Sequence, residues 1–185
     1  MVSWEAPPTN FYKLNFDGSV LNKSATTGIL IRDSSGAILG ARAFNLGTTK
    51  VFITEAMAIH KGILLALERE IKNIIIEGDN LLVINSVNGI WSTPWQIDHI
   101  IQDICSLLSN FDNWSIRHIF REANQAADWI ANVGHLVSDS MDIVPCNRGD
   151  QSPKSITVYS KWSPKSVTVH GNRNPKSVTV HGNRF

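Results

Sequence analysis

The chain has 185 residues, 43% hydrophobic and 18% charged, with a formal net charge of +1. That is enough for one full core with some excess, in the composition range of a soluble globular protein. No apolar run approaches the roughly 20 residues of a bilayer span, and no membrane partner is expected. The opening Met1-Val2-Ser3-Trp4-Glu5-Ala6-Pro7-Pro8 lacks the basic and apolar stretches of a signal peptide, so an intracellular protein, nuclear or cytoplasmic, is expected. Two cysteines, Cys105 and Cys146, show no metal-ligand spacing, and no disulfide framework is expected. The charge is uneven. Residues 1–137 carry 10 Lys/Arg against 13 Asp/Glu, and residues 138–185 carry 7 against 3, so the body is not a basic nucleic-acid binder by net charge.

The first part reads as strand, strand, strand, helix. Phe11 to Ser19 ends an apolar stretch at Asp17-Gly18, and Gly28 to Arg32 and Ala37 to Phe44 flank a hairpin turn at Asp33-Ser34-Ser35-Gly36. From Thr54 to Arg69 the period changes: Ala56, Ile59, Ile63, Leu64 and Leu67 form a helical stripe, with Glu55 at its start. Asn73-Ile74-Ile75-Ile76-Glu77 is a nearly continuous apolar run, which suits a strand buried on both faces with parallel neighbours, and Asp79 follows at its end. Helices are predicted over Asn80 to Val87 and Gln96 to Leu108, a strand over Asn113 to Phe120, and a last helix over Glu122 to Val133. The alanines of that helix predict a close approach to the sheet. This order gives an α/β fold, a five-stranded mixed sheet flanked by helices, with Asp17 and Asp79 adjoining in its middle, where open α/β sheets usually carry their site.

Two regions are read from the sequence, a folded domain over residues 1–137 and a low-complexity basic tail over 138–185 that is expected to be disordered. The tail holds three near-copies at an 11-residue period: Ser152-Pro153-Lys154-Ser155-Ile156-Thr157-Val158, Ser163-Pro164-Lys165-Ser166-Val167-Thr168-Val169 and Asn174-Pro175-Lys176-Ser177-Val178-Thr179-Val180. Each is too short for the common solenoid classes. Hairpin strands added to the sheet edge are the lesser alternative, and an electrostatic arm for a polyanion is the functional one.

Four acids stand out: Asp17, Glu55, Asp79 and Asp128. Singly each has an ordinary explanation, as a turn residue, a helix-dipole partner, a helix cap and a helix acid. Their order and their segments are far more specific. Mg²⁺ prefers carboxylates, water and phosphate oxygens, and two such ions can bracket a phosphodiester, activating water on one side and neutralising the leaving oxygen on the other.

Residues 4–135 resemble the ribonuclease H-like domain found in plants, alone or at the C-terminal end of non-LTR retroelement reverse transcriptases. The resemblance rests on Trp4-Glu5-Ala6-Pro7-Pro8, Lys13-Leu14-Asn15-Phe16-Asp17-Gly18-Ser19, Gly28-Ile29-Leu30-Ile31-Arg32-Asp33, Glu55-Ala56-Met57-Ala58, Glu77-Gly78-Asp79-Asn80, and His118-Ile119-Phe120-Arg121-Glu122-Ala123-Asn124-Gln125-Ala126-Ala127-Asp128. It implies a ribonuclease H-like fold, with Asp17, Glu55, Asp79 and Asp128 as the catalytic acids binding two Mg²⁺ ions, or Mn²⁺ in their place. The activity implied is hydrolysis of the RNA strand of an RNA–DNA hybrid. Asn15 and Asn80, beside the acids, are candidate nucleic-acid contacts, and a monomer is expected.

Two departures matter. The loop before the last helix is cut to Arg121-Glu122-Ala123 without the histidine that many relatives carry, and only Ile90 to Trp95 separates the two middle helices, where a basic protrusion is missing. Trp91 and Trp95 are expected to pack in the core or at an interface, with stacking on a sugar or base as the lesser alternative. His118 is expected to be a hydrogen-bonded strand residue rather than a substitute for the loop histidine. The departures keep open a second class, a non-catalytic nucleic-acid-binding module derived from a retroelement. An exonuclease of related fold is disfavoured by the Asp17-Gly18-Ser19 and Asn124 to Asp128 details.

Overall fold

A computed structural model describes residues 4–145, 156–160, 163–169 and 178–182. Strands β1 (Tyr12–Leu21), β2 (Ser24–Arg32) and β3 (Ile38–Gly47) form an antiparallel meander. The turn between β2 and β3 is built as its sequence demands. The Asp33 side chain accepts hydrogen bonds from the Ser35 and Ala37 backbone N–H groups, and Gly36 adopts φ +84°. Helix α1 (Val51–Glu68) then crosses over to β4 (Asn73–Gly78), which enters the sheet parallel to β1. Helices α2 (Leu81–Val87) and α3 (Asp98–Leu108) lead to β5 (Asn113–His118), parallel to β4. A 3₁₀ turn at Arg121–Ala123 and helix α4 (Gln125–Gly134) follow.

The sheet separates two apolar clusters. Leu14, Phe16, Ile29, Ile31, Ile74 and Ile76 meet α1, α2 and α3 on one face; Leu30, Ala41 and Ala43 meet Ile130 and Val133 of α4 on the other. Strand β4 is flanked on both sides by parallel neighbours, as its isoleucine run predicts. Its second face is polar, however. Glu77 is buried, 3.0 Å from the Lys13 ammonium and 2.7 Å from the Arg117 guanidinium. Trp4 closes over that group: its indole N–H donates to Asn15 Oδ1, and the Arg32 guanidinium lies 3.7 Å from the centre of its ring.

Helix α4 comes unusually close to the sheet. A Cβ added at Gly28 would lie 2.9 Å from Ala131 Cα and nearer still to the Ala127 carbonyl oxygen and the Ala131 nitrogen. The small residues of strand and helix therefore match, in agreement with the alanine pattern.

The expected five strands are too few. A sixth, β6 (Ser140–Pro145), pairs antiparallel with β3, because Met141 and Ile143 alternate with Asp142 and bury their side chains against the α4 face. Three strands of the repeat region, β7 (Ile156–Ser160), β8 (Ser163–Val169) and β9 (Val178–Gly182), continue the sheet in the order β5-β4-β1-β2-β3-β6-β7-β8-β9. The register sets Val167 opposite Val180 and Thr168 opposite Thr179. The rest of the expected disordered tail, residues 146–155, 161–162, 170–177 and 183–185, lies outside the described residues. Among the described residues no helix is long and apolar enough to cross a membrane.

Candidate active site

The register of β1 on β4 builds the site. Asn15 is opposite Glu77 in a parallel pair, and two residues further along lie Asp17 on β1 and Asp79 just past the end of β4. These neighbouring strands are third and second from the β5 edge, so the expected place in the middle of the sheet is displaced by the strands added beyond β3. Glu55 enters from the second turn of α1. A Cβ at Gly18 would lie 3.1 Å from the Glu55 backbone nitrogen, so this glycine lets the helix approach β1 closely enough to deliver the carboxylate. Oxygen atoms of Asp17, Glu55 and Asp79 all lie within 4.8 Å of one another. Asp17 and Glu55 are each only 5% exposed.

Three acids so close and so sheltered disfavour full ionisation. Burial, followed by repulsion from Asp79 and Asp128, pushes the Asp17 carboxyl up to about 8, and Arg121 lowers it by a smaller amount. Burial, followed by repulsion from Asp17 and Asp79, pushes Glu55 up to about 9; hydrogen bonding from the Gly18 backbone and the Asn80 side chain acts in the opposite sense without offsetting it. Glu55 Oε2 is buried without any hydrogen-bond partner. Three gathered carboxylates, one with a buried and unpartnered oxygen, are the donor set expected for a hard divalent cation. Asp17, Glu55 and Asp79 fit such an ion.

Asp128 is placed differently. It lies in the first turn of α4, where Arg121 Nη2 donates to its Oδ1 at 2.8 Å and Asn132 Nδ2 approaches its Oδ2 at 3.3 Å. It is near enough to act electrostatically on Asp17 but is not part of the three-acid group. Its position is set by Asn124, which sequence reasoning quoted in a motif without giving it a role. Asn124 is buried, its Nδ2 donates to the Phe16 carbonyl at 2.8 Å, and its own carbonyl accepts from the Ala127 and Asp128 N–H groups. That ties the start of α4 to β1 next to Asp17. The signal was an Asn at the head of the alanine run, the position of a helix start, although its side chain bonds β1 rather than capping the helix.

The two asparagines proposed as nucleic-acid contacts are otherwise engaged. Asn15 is fully buried, accepting from Trp4 and Arg32 and donating to Glu77. It is a core residue, because it shares the inward face with Lys13. Asn80 Oδ1 accepts from the Val83 N–H and caps α2, with its side chain also turned to Glu55. His118 hydrogen-bonds the Asp79 carbonyl at 3.2 Å, as expected of a strand histidine. Trp91 and Trp95 do not pack into the core: they are 48% and 82% exposed in the loop between α2 and α3. That short loop has no second apolar layer to cover them.

Comparison with known proteins fits this geometry. The reverse transcriptase-like family matches residues 15–134. A protein of Arabidopsis thaliana, whose name assigns it provisionally to ribonuclease H, is 28% identical over 154 residues, covering 78% of this chain. The chain spans only 24% of the length of that relative. Among solved structures, the RNase H1 of the halophilic archaeon Halobacterium salinarum matches with a TM-score of 0.65 and 26% identity, over 68% of this chain and 97% of that one. LC11-RNase H1, solved in complex with an RNA/DNA hybrid, matches in fold with a TM-score of 0.61 and 19% identity, over 66% of this chain and 94% of its own. With the carboxylates gathered where the sheet and α1 meet, the chain belongs to the reverse transcriptase-like family and carries a ribonuclease H-like domain.

Proposed function

We propose that the chain is a metal-dependent endonuclease that hydrolyses the RNA strand of an RNA–DNA hybrid. The observation that carries this reading is the three-acid group of Asp17, Glu55 and Asp79, sheltered and within 4.8 Å, with one carboxylate oxygen unpartnered. The solved hybrid complex of a protein with this fold supports the substrate class. Two divalent ions, Mg²⁺ or Mn²⁺, would activate the attacking water and neutralise the leaving 3′ oxygen. The chain's part is to hold them: Asp17, Glu55 and Asp79 supply one ready site, and Asp128 would complete the second. Because Asp17 and Glu55 favour their protonated forms in the absence of a cation, loading releases protons. Preference for RNA would come from contacts with successive 2′-hydroxyls across the shallow minor groove.

The Arg121–Asp128 ion pair favours a second reading, a module that binds nucleic acid without cutting it, since it occupies one of the four acids. The two are separated by incubating an end-labelled RNA–DNA hybrid with the protein and with its Asp79→Asn variant, in Mg²⁺ or Mn²⁺. Cleavage of the RNA strand by the parent alone establishes the enzyme. A folded parent that binds the hybrid but cleaves in neither metal establishes the binding module.

A further inference from the structure

Arg121 is the residue the proposed chemistry leaves unexplained. It stands in the shortened segment before α4, its side chain is 75% exposed, and its guanidinium reaches back to Asp128 Oδ1 at 2.8 Å. Nothing in the packing requires that contact, because a solvent-facing arginine is equally well hydrated. The same guanidinium is close enough to act on Asp17 and Asp79, so it sits at the mouth of the acid group as a positive charge.

We propose that Arg121 is a built-in competitor for the second metal position: it latches Asp128, so the resting protein offers one complete cation site and holds the fourth acid in reserve. This rests on the reading of the acid group as a divalent-metal centre. Two effects act together. An ion that recruits Asp128 must first displace the guanidinium, and while the guanidinium stays nearby it repels a second dication. Arg121 touches no reacting atom in this arrangement, so it is a positioning residue that acts through Asp128. The expected consequence is unequal sites, one ion bound by Asp17, Glu55 and Asp79, and a second bound more weakly.

The test is a Mn²⁺ titration of the full chain by calorimetry, comparing the parent with Arg121→Gln, Asp128→Asn and the double variant. An exposed pair of this kind is worth up to about 1 kcal/mol, so Arg121→Gln should tighten the second ion by up to about fivefold and leave the first nearly unchanged. Asp128→Asn should lose the second ion, and adding Arg121→Gln to it should restore nothing, because the latch acts through that carboxylate. Thermal unfolding of each variant shows that it is folded; Arg121 is exposed enough for its replacement to be tolerated. Two equal sites in the parent, or a second site that Arg121→Gln leaves unchanged, would overturn the latch while the metal centre stands. A parent that binds no Mn²⁺ through these acids would overturn the metal centre and the latch together.

Discussion

Replacing Gly28 with alanine tests the seating of α4 on the sheet, and through it the position of Asp128. The new methyl carbon would lie 2.9 Å from Ala131 Cα and closer to the Ala127 oxygen and Ala131 nitrogen, where ordinary contact begins near 3.4 Å. All three are helix backbone atoms, so no side-chain rotation relieves the clash, and the two closer ones require α4 to lift by about an ångström. Lifting it loosens Ile130 and Val133 from Leu30 and strains the Asn124 bond to the Phe16 carbonyl. Overpacking of this kind costs about 1–3 kcal/mol, and backbone against backbone belongs at the upper end. About 3 kcal/mol corresponds to a fall in Tm of roughly 10 °C for a domain of this size. The assay is thermal unfolding by circular dichroism, beside Gly47→Ala as control. Gly47 has φ +69° and nothing within 4 Å, so its replacement should cost only about 1 kcal/mol of backbone strain. Cleavage by Gly28→Ala should fall further than its residual folding explains, because Asp128 moves with the helix. A Gly28→Ala protein that melts within about 2 °C of the parent would refute the close seating of α4.

Raising the pH should destabilise the metal-free protein. The folded state holds the Asp17 and Glu55 protons up to about 8 and 9, while the unfolded chain releases them near ordinary carboxylate values. Across that window the native state therefore binds more protons, and stability falls as pH rises, by at most about 1.4 kcal/mol per pH unit for each group. Melting in EDTA at pH 5.5, 6.5 and 7.5 checks the slope, which saturating Mg²⁺ should flatten; a Tm rising with pH in EDTA would contradict the raised values. Glu77→Ala strands the buried Lys13 ammonium and should cost about 3–5 kcal/mol by urea unfolding, whereas a loss below 1 kcal/mol would show the ion group to be well hydrated. Asn124→Ala should cost about 1–2 kcal/mol in the same assay through the lost bond to the Phe16 carbonyl; an unchanged midpoint would show that α4 does not depend on this anchor.

Much of the core was legible because periodicity and chemistry agreed. The isoleucines of β4 report a strand between parallel neighbours, the alanines of α4 report a close helix, and both are where those patterns put them. Three of the four acids come together because each terminates or enters an element whose period is clear. The differences have physical causes. Asn15 follows the same alternation as Asp17 and is buried like it. What separates them is their partners, Trp4, Arg32 and Glu77 for one and two further acids for the other, which proximity in sequence does not show. In strand β6 the buried Met141 and Ile143 flank Asp142, an alternation too short to stand out. The pairing of Asp128 with Arg121 depends on a 3₁₀ turn whose direction no local preference specifies.

The four carboxylates belong to β1, α1, the end of β4 and α4, and this spacing imposes an order on their assembly during synthesis. Asp17 leaves the ribosome more than a hundred residues before Asp128, a lag of roughly 5–20 s at ordinary rates of elongation. Its neighbour across the sheet arrives only with β4, since the β1–β4 pairing closes a loop that includes the whole of α1. A nascent chain therefore holds no complete set of acids until the last helix has emerged and docked, whatever part of β1 and β4 has already paired.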